Sequence, residues 1–379
     1  MEIKNLKKAA NRILKAIKKR ERIVLYGDAD LDGAASVIIL KESIQILGGE
    51  VAAVYFPDCE IEGYGISKTG LDCLRKFAPA LLVVVDCGIG NFKETNLAKK
   101  LGFEIIIIDH HQVLGKLPNA SIIVNPKQKG DKYPFKELAT TGIVFKLSEL
   151  LLGNQMRDSL RKNFLELTAL ATIADMMPNE QENKMFIEQG MASIKNSWRP
   201  GIQAFLKMEP FEGISNLSQK ISKLVSILNI RDLQKGIPAS FRLLTSLVEE
   251  ESQNAIKKLL NQSEIKKTKI SNATKEIEWQ ISKEIEPIIF MGSTKWEIGF
   301  IGALASIMCN KYKKPTFIFK KGVEESQGAV RALLGVNSVC LMEKCSKYLL
   351  VFGGHPRASG FRIKNKNLEK FKKCLIKNL

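Results

Sequence analysis

The chain has 379 residues, 45% hydrophobic and 26% charged, enough apolar material for a substantial core and a length that suggests two domains. No run approaches the roughly 18 consecutive apolar residues of a membrane-spanning helix, so a soluble protein without a membrane partner is expected. Its 58 Lys and Arg against 40 acidic residues give a net charge of +18. That field suits a phosphate-rich polymer, and equally a lysine-rich surface that merely stays solvated. The seven cysteines are odd in number, scattered and never spaced as a metal or redox pair, which predicts reduced thiols and a cytoplasmic location.

In chain order, Ile3, Leu6, Ala10, Ile13, Leu14 and Ile17 recur among lysines at helical spacing. The segment carries Glu2, lacks serine and a cleavage-like site, and runs straight into a strand, so it reads as part of the fold rather than a transit peptide. From Ile23 to Val124 short β-branched runs alternate with amphipathic stretches: 23–26, 51–55, 81–85, 105–108 and 122–124. This pattern predicts a parallel sheet covered on both faces, with ligands gathering at the carboxyl ends of its strands. Residues 137–207 read as helices, 213–236 as less regular, and 238–285 as a charged helical connector. The remainder, with short strands at 316–319 and 348–352, predicts a smaller α/β domain. The expected division is 1–207, 208–285 and 286–379.

Polar residues follow the strands in a pattern. The first ends in Gly27-Asp28-Ala29-Asp30-Leu31-Asp32-Gly33, the third in Asp86-Cys87-Gly88 and the fourth in Asp109-His110-His111, while a helical segment carries Ala174-Asp175. Singly, each aspartate is most simply a helix cap or turn residue. Three strands that all end in Asp at one sheet edge would set carboxylates against one another, and a cation removes that conflict. Carboxylates with imidazole suit Mn²⁺ or Mg²⁺, and the lack of cysteine pairs argues against structural zinc. Two such ions roughly 3.5–4 Å apart can clamp the attacking and leaving oxygens of a phosphodiester. A last cluster, Gly353-Gly354-His355, is on its own a turn with a surface histidine, or else a close backbone approach to a phosphate. All three histidines of the chain fall in these clusters.

Together, Asp30-Leu31-Asp32, Val85-Asp86-Cys87-Gly88, Asp109-His110-His111 and Ala174-Asp175 resemble the four ordered motifs of the DHH superfamily. Glu62-Gly63-Tyr64-Gly65, Val124-Asn125-Pro126-Lys127, Tyr133-Pro134-Phe135-Lys136, Glu182-Asn183 and Arg199-Pro200-Gly201 are similar to connecting segments of its RecJ-type single-stranded DNA exonucleases. Trp296 to Gly302 resembles the start of the DHH-associated C-terminal domain. The resemblance implies an α/β fold: a parallel-sheet DHH domain with a helical extension, joined by a long helix to the smaller domain. It implies that Asp30 and Asp32 each bind one metal, Asp86 bridges two, and Asp28, His110 and Asp175 complete the set. His111 would face the scissile phosphate or water, and Asp109 would orient an imidazole. Gly353, Gly354, His355 and Arg331 would engage the substrate.

The chain departs from that pattern at several places. RecJ-type enzymes place a 5′-phosphate-binding arginine where Cys59 stands here, between Asp58 and Glu60. Ala329 replaces a serine, the segment around Asn229 to Arg231 is only partly kept, and the oligonucleotide-binding barrel of long relatives is not in this sequence. Three readings follow. The first is metal-dependent hydrolysis of single-stranded DNA from an end, 5′ to 3′, in repair or recombination, with a single-strand-binding or replisome protein as a partner. The second is a phosphodiesterase for short oligoribonucleotides or small cyclic nucleotides, and the third a noncatalytic replication scaffold.

Overall fold

Every β-branched run from Ile23 to Val124 becomes a strand. The computed structural model describes residues 2–209, 211–230, 232–281 and 286–379, and the chain divides into two units, Met1–Leu260 and Asn261–Leu379. In the first, α1 (Leu6–Lys18) leads into β1 (Ile23–Gly27), α2 (Leu31–Ile46), β2 (Val51–Tyr55), α3 (Lys68–Leu74), β3 (Ala80–Val85), α4 (Phe92–Lys100), β4 (Phe103–Ile108) and β5 (Ile122–Val124). All pairings are parallel, in the order β2-β1-β3-β4-β5.

The alternation of a strand divides the core in two. Leu81, Val83 and Val85 face one side of the sheet, against α1 and α2, with Ile106 and Ile108 beside them. Leu82, Val84, Ile105 and Ile107 face the other, against Leu71 of α3 and Ala98 of α4. Because both faces are covered, β3 is buried at every position. The same logic explains α2, which is apolar nearly all round and buried from Leu31 to Leu40. The basic opening segment buries Leu6, Ala9, Ala10, Ile13 and Ala16 of α1 in this core.

The helical extension consists of α5 (Thr140–Leu152), α6 (Asp158–Ala174), α7 (Gln181–Ser193), α8 (Pro200–Lys207) and α9 (Leu217–Leu228). A hairpin of β6 (Leu233–Gln234) and β7 (Ile237–Pro238) and then α10 (Ala239–Thr245) follow. Helix α9 corrects the expectation of irregular structure at 213–236. Asn216 caps it by accepting from the Gln219 N–H at 3.2 Å, and Ile221, Leu224, Val225 and Leu228 form a buried stripe. The short span between Gly213 and Gly236 hid that stripe among serines and lysines.

Helix α11 (Glu249–Ile281) begins with three glutamates that complement its N-terminal dipole. It buries Ile256 and Leu259 in the first unit and Ala273 and Ile277 in the second. The end of the expected connector, 282–285, lies outside the described residues.

The second unit carries β8 (Ile289–Ser293), α12 (Ile298–Tyr312), β9 (Thr316–Lys321), β10 (Glu325–Arg331), α13 (Ser338–Lys344), β11 (Leu349–His355), β12 (Ala358–Lys364) and α14 (Leu368–Asn378). Its sheet runs β11-β12-β10-β9-β8, antiparallel except between β8 and β9. Phe317, Phe361 and Phe371 pack at its centre, Phe317 and Phe371 edge to face with centroids 6.2 Å apart. The expectation that every thiol is free is corrected here: Cys345 and Cys374 form a disulfide with Cα atoms 6.0 Å apart. The residue after α13 packs against α14, and a separation of 29 residues gives no sequence signature for that pairing. Among the described residues no helix is long and apolar enough to cross a membrane.

Candidate metal centre

At the end of β1 the chain turns sharply into α2. Asp30 is the N-cap of α2 and accepts from the Gly33 N–H at 3.0 Å, so the simplest role of an aspartate after a strand is also realised. The turn requires glycine at 33, where a Cβ would stand 2.3 Å from the Asp28 carbonyl oxygen. Asp32, in the first turn of α2, is buried and accepts the Thr140 N–H at 2.8 Å, the Thr141 N–H at 2.9 Å and the Thr141 hydroxyl.

Asp86 directly follows β3 with φ +61, a left-handed conformation that Asp tolerates better than most residues. Its N–H still extends the ladder to the Ile108 carbonyl at 2.9 Å, and its carboxylate accepts the Thr140 hydroxyl at 2.9 Å. Asp109 ends β4 and accepts four bonds: from His110 N at 2.7 Å, His111 N at 3.1 Å, His111 Nδ1 at 2.7 Å and Ile89 N at 3.0 Å. Asp175 follows the last turn of α6.

These side chains converge. Asp28, Asp30 and Asp86 present oxygens within 4.8 Å of one another, as do ligand atoms of Asp32, His110 and Asp175, and of Asp86, Asp109 and His111. His110 Nε2 lies 3.4 Å from Asp86 Oδ1, 3.4 Å from Asp175 Oδ2 and 3.8 Å from Asp32 Oδ2.

A hydrogen bond fixes what that nitrogen carries. His110 Nδ1 lies 2.9 Å from the Leu138 carbonyl, which can only accept, so the proton sits on Nδ1. Burial, with the charges of His111 and Lys127, keeps the ring neutral far below the usual histidine pKa. Nε2 therefore turns a lone pair toward three carboxylate oxygens.

Burial also pushes Asp86 well above the carboxylate range, reinforced by the charges of Asp32, Asp30, Asp28 and Asp175. Asp175 is raised well above it by burial and by Asp32 and Asp30. Asp32 is raised by burial despite the bonds from Thr141 and Thr140. A lone pair beside crowded carboxylates that resist ionising together is a set whose charged form a divalent cation would stabilise. Oxygen and imidazole donors without thiolate fit Mn²⁺ or Mg²⁺.

The remaining predicted residues lie together in the second unit. Arg331 at the end of β10 and His355 at the end of β11 both pair with Ala358 of β12, one on each side, so the register places them in one row of the sheet. Gly353 has open space where a Cβ would be. Gly354, at φ +126, has the Ala358 carbonyl 2.7 Å from that point and admits no side chain.

Residues 22–172 match the DHH family, N-terminal domain. That match takes in the parallel sheet and most of α6. Over 371 residues it is 32% identical to the single-stranded-DNA-specific exonuclease RecJ of Bacillus subtilis (strain 168), covering 96% of this chain and 46% of that protein. The RecJ of Escherichia coli (strain K12) is 27% identical over 401 residues, 98% of this chain and 68% of the relative. The chain thus spans about half the length of its Bacillus relative. The crystal structure of Thermus thermophilus RecJ in complex with Mn²⁺ superposes with a TM-score of 0.82 at 23% identity, over 100% of this chain and 55% of that one. A manganese-bound exonuclease RecJ gives 0.78 at 24%, over 100% and 94%. The fold is shared with both.

The roles of several residues that meet the cluster escape sequence reading. Thr140 and Thr141 open α5 and look like ordinary helix-start residues. Asn125 Nδ2 donates to the His111 carbonyl at 3.0 Å, and Lys127 Nζ lies 3.1 Å from Glu137 Oε2 with its own side chain buried. Asn229 Oδ1 accepts from the Leu31 N–H at 3.4 Å, joining α9 to the turn beside Asp30. The nearby Arg231 lies outside the described residues. Asn125 and Lys127 had a signal, since Asn-Pro-Lys directly follows β5 at the same sheet edge. His111 also differs from His110. Burial alone would lower its pKa, but the charge and hydrogen bond of Asp109, with Asp175 and Asp28 beyond, hold it up to about 9.

Proposed function

We propose that this DHH protein is a cytoplasmic two-metal exonuclease that hydrolyses single-stranded DNA from an end, 5′ to 3′, in repair or recombination. The observation that carries the reading is the approach of His110 Nε2 to within 3.4–3.8 Å of carboxylates in the first turn of α2 and just after β3 and α6. The relatives support the substrate, since they are named single-stranded-DNA-specific exonucleases. The net charge of +18 suits a polyphosphate chain.

Asp30 and Asp32 would each hold one cation and Asp86 both, with Asp28, His110 and Asp175 completing the set. Two bound Mn²⁺ or Mg²⁺ supply Lewis acidity and neutralise charge developing on the phosphate. The protein's own contribution is orientation and proton placement. Asp109 anchors Nδ1–H of His111, which leaves the protonated Nε2 of that ring as a donor for a phosphate oxygen. Arg331 would add a fork of donors to the phosphate backbone, and Gly353, Gly354 and His355 a close main-chain approach. A single-strand-binding or replisome protein would add grip on long strands.

Asp109→Asn tests the orienting role. Its amide sets a donor against at least one of the N–H groups of Ile89, His110 or His111, so turnover or Mn²⁺ affinity should fall about 10–100-fold. Equal rates and equal Mn²⁺ titrations for the two proteins would remove Asp109 from the mechanism.

A second reading, hydrolysis of short oligonucleotides, is favoured by the segment 57–62. It holds three acids and no base, and Glu62 is engaged by Tyr55, Ser67 and the Asp58 N–H. Strands of several tens of nucleotides, labelled at either end, with and without a 5′ phosphate, distinguish the two. With Mn²⁺, long strands should shorten stepwise from the 5′ end, with little dependence on the phosphate. Cleavage of dinucleotides alone would establish the second reading.

A further inference from the structure

We infer that Thr140 is a positioning residue of the metal centre, holding the carboxylates of Asp32 and Asp86 in one fixed mutual orientation. The inference rests on the metal-dependent reading above.

One short segment reaches three of the converging side chains. The Leu138 carbonyl holds His110 Nδ1 at 2.9 Å, the Thr140 N–H holds Asp32 Oδ2 at 2.8 Å, and the Thr140 hydroxyl donates to Asp86 Oδ1 at 2.9 Å. Thr140 thus touches two carboxylates at once, one through its backbone and one through its side chain. It is fully buried, so neither bond has water as a substitute.

The carboxylates come from opposite sides of the cluster, Asp32 from the first turn of α2 and Asp86 from the end of β3. Helix α2 and strand β3 have no covalent path between these points shorter than about fifty residues of chain. Thr140 spans them directly. A buried carboxylate has a rotatable χ2, and a donor on one oxygen stops the group from turning; Asp86 Oδ1, which Thr140 holds, is the oxygen that lies 3.4 Å from His110 Nε2.

Threonine performs this task where its bland alternative does not account for the geometry. A helix-start threonine that caps its own helix accepts from an N–H two or three residues on. Here Ala139 is the N-cap, its side chain makes no capping bond, and the Thr140 hydroxyl donates outward to Asp86. The N–H groups of Thr140 and Thr141 are satisfied from outside, by Asp32. The start of α5 is thus closed by a group of the centre rather than by its own sequence.

Thr140→Val keeps the shape and the N–H bond to Asp32 and removes only the donor to Asp86. Thr140→Ser restores the hydroxyl. Mn²⁺ binding is read by calorimetry on the whole chain, beside thermal unfolding in chelator. Thr140→Val should bind Mn²⁺ about 10–100-fold more weakly than wild type while Thr140→Ser stays near it. If the valine variant does not fold in chelator, Thr140→Ala, which fits the same space, carries the same expectation. Wild-type affinity in the valine or alanine variant overturns the inference, as does an equal loss in Thr140→Ser. Failure of the wild type itself to take up Mn²⁺ would instead overturn the metal-dependent reading, so the two failures are distinct.

Discussion

Replacement of Asp86 by alanine should remove hydrolysis, by about 10³-fold or more, while leaving single-stranded DNA binding within a few-fold of wild type. Among the described residues Asp86 is the one carboxylate shared by two of the converging groups, with Asp28 and Asp30 on one side and Asp109 and His111 on the other. In the proposed mechanism its negative charge would offset the repulsion between two cations, whose Lewis acidity would supply several kcal/mol of charge stabilisation. The net charge of +18, which suits a polyanion, only rises when this carboxylate is lost.

The variant also has a signature apart from activity. Without metal, Asp86 is held well above its usual pKa by burial and by four neighbouring carboxylates, so its loss relieves a conflict as well as removing the acceptor of the Thr140 hydroxyl. Stability in chelator should therefore change little. Added Mn²⁺ should stabilise the wild type, by about 2.7 kcal/mol at a hundredfold excess over Kd, and the variant much less. Initial rates on labelled strands, with thermal unfolding in chelator and in Mn²⁺, check both halves. Wild-type rates in the variant would reject the assignment of Asp86 to the metals.

The centre was legible because parallel sheets place their polar chemistry at one edge. Asp28, Asp86 and Asp109 each follow a β-branched run closely, and that placement survives any error in the helices between them. Asp175 was harder, lying on a helix end where an aspartate has no distinguishing pattern, and it needed the order of all four motifs. Thr140 was not legible at all. Its bonds go to residues 54 and 108 positions away, and a threonine before an apolar helix has the same sequence whether it caps that helix or reaches across a cluster. Cys345 and Cys374 were missed for the same reason. Periodicity reports which face a side chain takes, and it carries no information on what the facing element brings. Helix α9 failed differently: its period was present, but the flanking glycines and the serines within it resembled a loop.

Arg199→Met should cost about 3 kcal/mol of stability while sparing the chemistry. This guanidinium is buried at the start of α8. It donates to both Glu42 oxygens at 2.8 and 3.1 Å, to Asn163 Oδ1 at 2.7 Å and to the Leu244 carbonyl at 2.8 Å. One side chain thereby ties α2, α6 and α10 together. Gly201 completes the junction, since a Cβ there would lie 2.1 Å from the Leu243 carbonyl oxygen. The Arg-Pro-Gly segment is thus read physically as the point where these helices meet. Removing one partner of a buried pair costs about 3–5 kcal/mol, chiefly because the other charge is left without compensation. Glu42 keeps 25% of its side chain accessible and can recover some hydration, which sets the expectation at the low end. Urea titration in chelator excludes any contribution from metal binding. A loss below about 1 kcal/mol would class Arg199 with ordinary surface substitutions. Adding Glu42→Met should recover part of the loss, because an apolar pair of similar volume carries no desolvation penalty. The rate per folded molecule should stay near wild type, since the first turn of α2, where Asp32 sits, is held by the Asp30 cap and by α5 rather than by its far end.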